Sequence, residues 1–142
     1  MGYMTDGLSF NTLRGGNRAR LGMFTNAQGE ECHTDPNTKW GPADWLEALV
    51  GELGEYANLR KKVNRGDFTL EEALPAISDE LADVMIYLDL LALDLGIDLG
   101  KAVMAKFNKK SAQLNLPVCL DAEDWHARVP TWALDENEGK KL

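Results

Sequence analysis

Two pairs of carboxylates, Glu52-Leu53-Gly54-Glu55 and Glu80-Leu81-Ala82-Asp83, are the residues whose types and spacing point to chemistry. Positions i and i+3 are neighbours on a helix, so each pair projects in one direction. At about 100° of turn per residue, Trp45, Ala48, Leu49, Tyr56, Leu59 and Val63 share the side of Glu52 and Glu55. Glu47, Asn58, Lys61 and Arg65 fall opposite. The segment 76–95 is apolar almost all round, and Glu80 and Asp83 share a side there with Ala76, Val84, Tyr87 and Leu91. All four acids therefore ride on faces that helices normally bury. A buried carboxylate without a partner is costly, so it is neutralised, paired or bound to a metal. Lysines and arginines at matching core positions are scarce. A hard divalent cation answers the need: Mg²⁺ takes oxygen ligands and keeps positions open for phosphate oxygens. Such ions grip phosphates, activate water and stabilise the leaving group.

Three other origins for these residues carry less weight. An acid-rich helical protein produces Glu-x-x-Glu and Glu-x-x-Asp by chance, and either motif alone has little specificity; their shared placement on apolar faces argues against chance. A di-iron or di-manganese carboxylate bundle wants Glu-x-x-His, but His33 and His126 lie far from both motifs. Zinc on Cys32, His33, Cys119 and His126 fails on spacing, which matches no finger or ribbon. No Gly-x-x-x-x-Gly-Lys-Ser/Thr loop is present, which excludes a P-loop.

The elements that must carry the acids are helical, since no stretch alternates with period two. Residues 8–20 form a short helix capped by Ser9 or Asn11, weakened by Gly15-Gly16. Its Asn11, Arg14, Asn17, Arg18 and Arg20 make it the most basic segment, suited to a solvated face or to phosphates and a base edge. Residues 22–43 read as loop. A helix over about 43–65 starts at Pro42 or Asp44 and stops at Arg65-Gly66-Asp67. Gly51 and Gly54 inside it suit the close approach of another helix or a ligand, or mark loose packing. Thr69 opens the next helical stretch with Glu72 at capping-box spacing; Pro75 interrupts it, and Asp79 to Leu95 form the long apolar helix, stopped by Gly96. Asp98 caps a last helix, about 99–114, ended by Pro117. Residues 1–117 form the domain, and 118–142 are a tail that its tryptophans, Trp125 and Trp132, pin to the body or to a neighbouring subunit.

Length and charge bound the role. At 142 residues one domain has a real core. A formal charge of −8 argues against a nucleic-acid polymer or an anionic membrane as partner. An anionic substrate would then need metal ions as mediators. Two cysteines fit a reducing cytoplasm without a disulfide. No run of 18 apolar residues predicts a membrane span, and Met1 to Asp6 lead into no secretory signal.

Glu52-x-x-Glu55, 24 intervening residues and Glu80-x-x-Asp83 together resemble the MazG-like all-α nucleoside triphosphate pyrophosphohydrolases. Leu49-Val50-Gly51-Glu52-Leu53-Gly54-Glu55 is similar to the GE-x-GE helix of that superfamily, including its dCTP pyrophosphatase branch. The resemblance covers about 43–114. Ser9-Phe10-Asn11 through Asn17, Gly51 to Lys62 and Leu99 to Asn108 also resemble small phage-encoded members, some of which hydrolyse dGTP for altered-base genomes. The resemblance implies an all-α bundle of four to five helices that forms a homodimer or homotetramer, with active sites near subunit contacts. It implies that a (deoxy)nucleoside triphosphate and water give the monophosphate and pyrophosphate. Glu52, Glu55, Glu80 and Asp83 would hold two or three Mg²⁺ ions, with Mn²⁺ as a substitute, and Glu55 would help deprotonate the attacking water. Lys106, Asn108 and Lys109 would meet the phosphates. Two departures stand out: Gly51 replaces a glutamate common in the family, and the last helix lacks an arginine often found near its end.

Base choice rests on thinner signals. Tyr87, one turn past Asp83, faces the substrate side or packs in the core. Trp40 and Trp45 are candidate stacking partners, Trp45 being the better core residue. Asn11, Asn17 and Arg20 are placed to read a base edge or a phosphate. The expected substrate is dGTP or GTP; the alternatives are a pyrimidine substrate (dCTP or dUTP) and a non-catalytic helical scaffold.

Overall fold

The computed structural model describes residues 7–25, 27–29 and 40–120. The Cys32/His33 pair, His126 and the tryptophans of the tail lie outside the described residues. Four helices are described: α1 (Phe10–Leu21), α2 (Pro42–Arg65), α3 (Leu70–Asp94) and α4 (Leu99–Gln113), with no strand among the described residues. None of these helices is long and apolar enough to cross a membrane. The chain divides into two compact units, Met1–Ile97 and Asp98–Leu142.

Local chemistry sets the helix ends. Ser9 caps α1 by accepting from the Thr12 amide at 3.0 Å. Pro42 opens α2, and Gly66 ends it at φ 82°, a left-handed conformation that favours glycine. Thr69 and Glu72 form a reciprocal capping box at the start of α3, the Glu72 carboxylate accepting from the Thr69 amide at 2.7 Å. Gly96, at φ 69°, and the bond from the Ile97 amide to the Ala92 carbonyl close the other end. The expected break at Pro75 is absent, because α3 runs through it. Proline removes only the bond to the carbonyl of Glu71, in the exposed first turn. Ala73 and Ile77, buried on either side, hold the helix in place.

In the first unit α3 packs against both α2 and α1. Four residues, 66–69, join α2 to α3, so the two helices form an antiparallel hairpin. Among the described residues the buried apolar set is small: Trp45, Ala73, Ile77, Leu90 and Ala92. A polar clamp fixes α1. Asp89 on α3, 1% exposed, accepts from Arg14 Nε at 3.0 Å and Asn17 Nδ2 at 2.9 Å, and its ion pair with Arg14 brings Nη2 to 2.9 Å. Arg14 Nη2 also donates to the Ile97 carbonyl at 2.9 Å. In the second unit, Asp98 caps α4 by accepting from the Lys101 amide at 3.0 Å. Both ends of the Asn108 amide pair with the Leu120 backbone, at 2.9 and 2.7 Å.

Two expected outcomes follow. Arg14→Met leaves the Asp89 carboxylate buried with Asn17 as its remaining clamp partner, and breaking such a pair costs about 3–5 kcal/mol; urea unfolding measures it. The backbone and hydroxyl bonds from Thr69 hold the Glu72 carboxyl below its ordinary value. The folded chain then releases that proton at lower pH than the unfolded chain. This stabilisation is complete above the ordinary carboxylate value and vanishes as pH falls through the lowered one. Thr69→Ala keeps the backbone bond to Glu72 and removes the hydroxyl one, so it weakens that pH dependence and costs about 1 kcal/mol of cap stability, read from melts across the acid range.

Candidate metal and nucleotide site

The hairpin decides where the acids meet. Glu52 lies as far before Gly66 as Asp83 lies after Thr69, so an antiparallel pair sets them at one level. Trp45 and Leu90 form a second such level, and Gly41 and Asp94 a third. Carboxylate oxygens of Glu52, Glu80 and Asp83 lie within 4.8 Å of one another. This is a donor set of hard oxygens at a spacing that fits a divalent cation. Glu55 stands outside that group and is exposed, although its charge reaches Glu52.

Crowding shows in the acid–base chemistry. Desolvation raises the pKa of Glu52, followed by a hydrogen bond to Glu80 and the charges of Asp83, Glu80 and Glu55. Burial likewise pushes up the Tyr87 phenol, helped by Glu52 and Asp83 and opposed by Arg20. Tyr87 therefore sits within electrostatic reach of two of the acids and a guanidinium.

Beside the acids lies a cavity of about 310 Å³ lined by Arg20, Phe24, Thr25, Trp40, Trp45, Asp83, Ile86, Tyr87 and Leu90. Trp40 and Trp45 stand 4.8 Å apart between centroids, and Trp45 and Tyr87 6.3 Å apart. The Arg20 guanidinium lies 5.6 Å from the Phe24 ring centroid, within cation–π range. The wall is thus aromatic and one end acidic, an arrangement that suits a flat base joined to an anion.

Of the other expected nucleotide contacts, Arg20 and Tyr87 line this cavity and Asn11 is exposed outside it. Asn17 needs correction. It is 3% exposed, and its amide nitrogen donates to Asp89 Oδ2 at 2.9 Å and the Ile86 carbonyl at 3.4 Å. Both amide hydrogens hold α1 on α3, so neither is left to read a base. Lys106, Asn108 and Lys109 belong to the second unit, and a ligand for the Asn108 amide would have to displace Leu120. A Cβ at Gly51 or Gly54 would meet nothing within 4 Å, so no described residue closes in on either glycine. Phe24 was missed by sequence reasoning, for nothing in the loop pattern after α1 sets it apart.

Fold and site define an all-α protein with a carboxylate cluster borne on a helical hairpin. Residues 44–127 match the model of the MazG-like family, and the chain belongs to that family. Among curated relatives it is similar to dCTP pyrophosphatase 1 of Rattus norvegicus, 32% identical over 101 residues, and of Homo sapiens, 31% identical over 101 residues. Each alignment covers 68% of this chain and 59% of the relative, so the chain spans about three fifths of the length of these relatives. No solved structure matches it significantly.

The raised pKa of Glu52 has a consequence for stability. An acid whose folded value is raised stabilises the fold below its ordinary value, and that contribution is lost as pH rises through the raised one. Glu52→Gln should therefore make the metal-free protein melt higher than the parent at neutral pH, and any rise in melting temperature with added Mg²⁺ or Mn²⁺ should be smaller in the variant than in the parent. Melts with and without the ions at acid and neutral pH check both.

Proposed function

We propose that this protein is a divalent-metal-dependent pyrophosphohydrolase that converts a (deoxy)nucleoside triphosphate to its monophosphate and pyrophosphate, shaping the nucleotide pool. One observation carries the reading: three carboxylates within 4.8 Å of one another adjoin an aromatic-walled cavity that Asp83 itself lines. Membership of the MazG-like family and the activity for which the relatives are named support it. Glu52, Glu80 and Asp83, joined by Glu55, would hold two or three Mg²⁺ or Mn²⁺ ions. When bound, the ions would polarise the phosphoryl oxygens and ease deprotonation of water. Glu55 suits the role of proton acceptor because it is exposed. The water oxygen adds to the α-phosphorus, the bond to the bridging oxygen breaks, and pyrophosphate leaves. Arg20 offers positive charge to the phosphates, Tyr87 a hydroxyl and an aromatic face. Lys106 and Lys109 of α4 are proposed as further phosphate ligands, on the family resemblance alone.

For the base, the resemblance to phage-encoded members favours guanine. A second reading, cytosine, is favoured by the relatives, which are named for dCTP. We also propose that the working form is a homodimer or homotetramer in the cytoplasm. Leu46, Val50 and Leu53 on α2 and Leu74, Leu81 and Met85 on α3 are each more than 40% exposed, apolar surface that a second copy would cover.

Incubation with each dNTP and NTP plus Mg²⁺ or Mn²⁺ should yield monophosphate and pyrophosphate in equal amounts. Diphosphate with phosphate, or no turnover with any nucleotide, would contradict the reading, the latter leaving a scaffold role. Glu52→Gln should lower turnover by more than about 100-fold, beyond what losing an outer partner of a metal ligand costs. Light scattering should return two or four times the mass of the chain.

A further inference from the structure

A second cavity, about 350 Å³, is lined by Arg18, Leu21, Trp40, Trp45, Leu90, Leu93 and Asp94. It shares Trp40, Trp45 and Leu90 with the cavity that Asp83 lines. At its wall is a polar atom with nothing to bind: Asp94 Oδ2 is buried and has no hydrogen-bond partner among the described residues. An unsatisfied buried acceptor is destabilising. The position is unfavourable on a second count. Asp94 is the last residue of α3, whose final turn holds no basic residue, and the C-terminal end of a helix repels negative charge. Arg18 lines the same cavity, yet no hydrogen bond to Asp94 Oδ2 is made among the described residues. A ligand that donates hydrogen bonds would make one.

We propose that Asp94 is the base-reading residue of the nucleotide site, and that the base it selects is guanine. This rests on the nucleotide reading above and deepens it. Asp94 lies eleven residues beyond Asp83 along α3, roughly 16 Å at 1.5 Å per residue. That separation suits an extended nucleotide with its phosphates at the acids and its base at the far end. Trp40, Trp45 and Leu90 line both cavities, so the two adjoin along these side chains. A carboxylate offers two acceptors and no donor. Guanine alone among the common bases presents two adjacent donors on its pairing edge, the N1–H and the amino group on C2. Cytosine and adenine place a single amino group beside a ring nitrogen acceptor, which would face the second carboxylate oxygen. Uracil and thymine flank one N–H with two carbonyls, and both would be repelled. Arg18, on the same cavity, supplies donors that suit the guanine O6 carbonyl. The carboxylate therefore separates the two base readings in favour of guanine.

Asp94→Asn tests this with little change of shape. The asparagine carbonyl still accepts the N1–H, but its NH₂ now faces the C2 position, where xanthine carries a carbonyl. The parent should prefer dGTP to dITP, which lacks the amino group, by about 10- to 100-fold in kcat/KM, as expected for one hydrogen bond to a charged group. Asp94→Asn should lose dGTP turnover by a similar factor and gain on dXTP, while the ligand-free variant melts no lower than the parent. An equal loss on every nucleotide, or a parent that treats dGTP and dITP alike, overturns the proposal. Binding of dGMP, dIMP and dXMP to both proteins, followed by calorimetry, makes the test independent of turnover. If nothing is hydrolysed but dGMP still binds about 10- to 100-fold tighter than dIMP, with the preference moving to dXMP in the variant, the hydrolase reading fails and Asp94 stands. Hydrolysis without base discrimination supports the hydrolase reading and removes Asp94 from base selection.

Discussion

Three carboxylates with oxygens within 4.8 Å repel one another, and what holds them there is the packing of α2 against α3. Burial raises the Glu52 pKa first, and the hydrogen bond to Glu80 and the neighbouring charges of Asp83, Glu80 and Glu55 add to it. Trp45, Ala73, Ile77 and Leu90 supply the opposing force by burial. The short link 66–69 sets the register, since an antiparallel hairpin pairs residues equally far from its turn. Moving α3 by one turn, about 5.4 Å, would carry Glu80 and Asp83 away from Glu52. The site is therefore a property of the hairpin, and its internal strain is the kind that a bound cation relieves.

α1 is attached by different means. Its contact with α3 is organised by Asp89, held from α1 by Arg14 and Asn17. Buried ion pairs contribute little net stability, because desolvation offsets the attraction, but they tolerate few alternative arrangements. The clamp fixes the rotation of α1. That rotation directs Arg18 toward one cavity and Arg20, followed by Phe24, toward the other. A helix that reads as basic surface thus uses one arginine as structure and leaves two for the cavities.

Exposure of large apolar side chains along α2 and α3 gives the first unit a mixed character. A helix apolar on nearly every side needs partners on every side, and among the described residues α3 finds them only in part. The acid cluster and the exposed apolar rows lie on the same two helices.

Local sequence determined the helices, because caps and stops act over three or four residues: Ser9, the Thr69–Glu72 box, Gly66 and Asp98 were legible as they stand. It determined the acids too, since carboxylates on an apolar face conflict with burial wherever the chain folds. Pro75 was misread because a local preference was set against packing that the sequence does not display. What only tertiary structure decided depends on residues far apart in the chain. Asn17 became a structural residue because Asp89, 72 positions away, reaches it. Glu55 fell outside the group of three because helix spacing gives a direction and not a distance. Nothing in the sequence sets Asp94 apart; the fold leaves its Oδ2 buried without a hydrogen-bond partner among the described residues. Sequence periodicity states which face of a helix avoids water; only the packed structure states what that face meets.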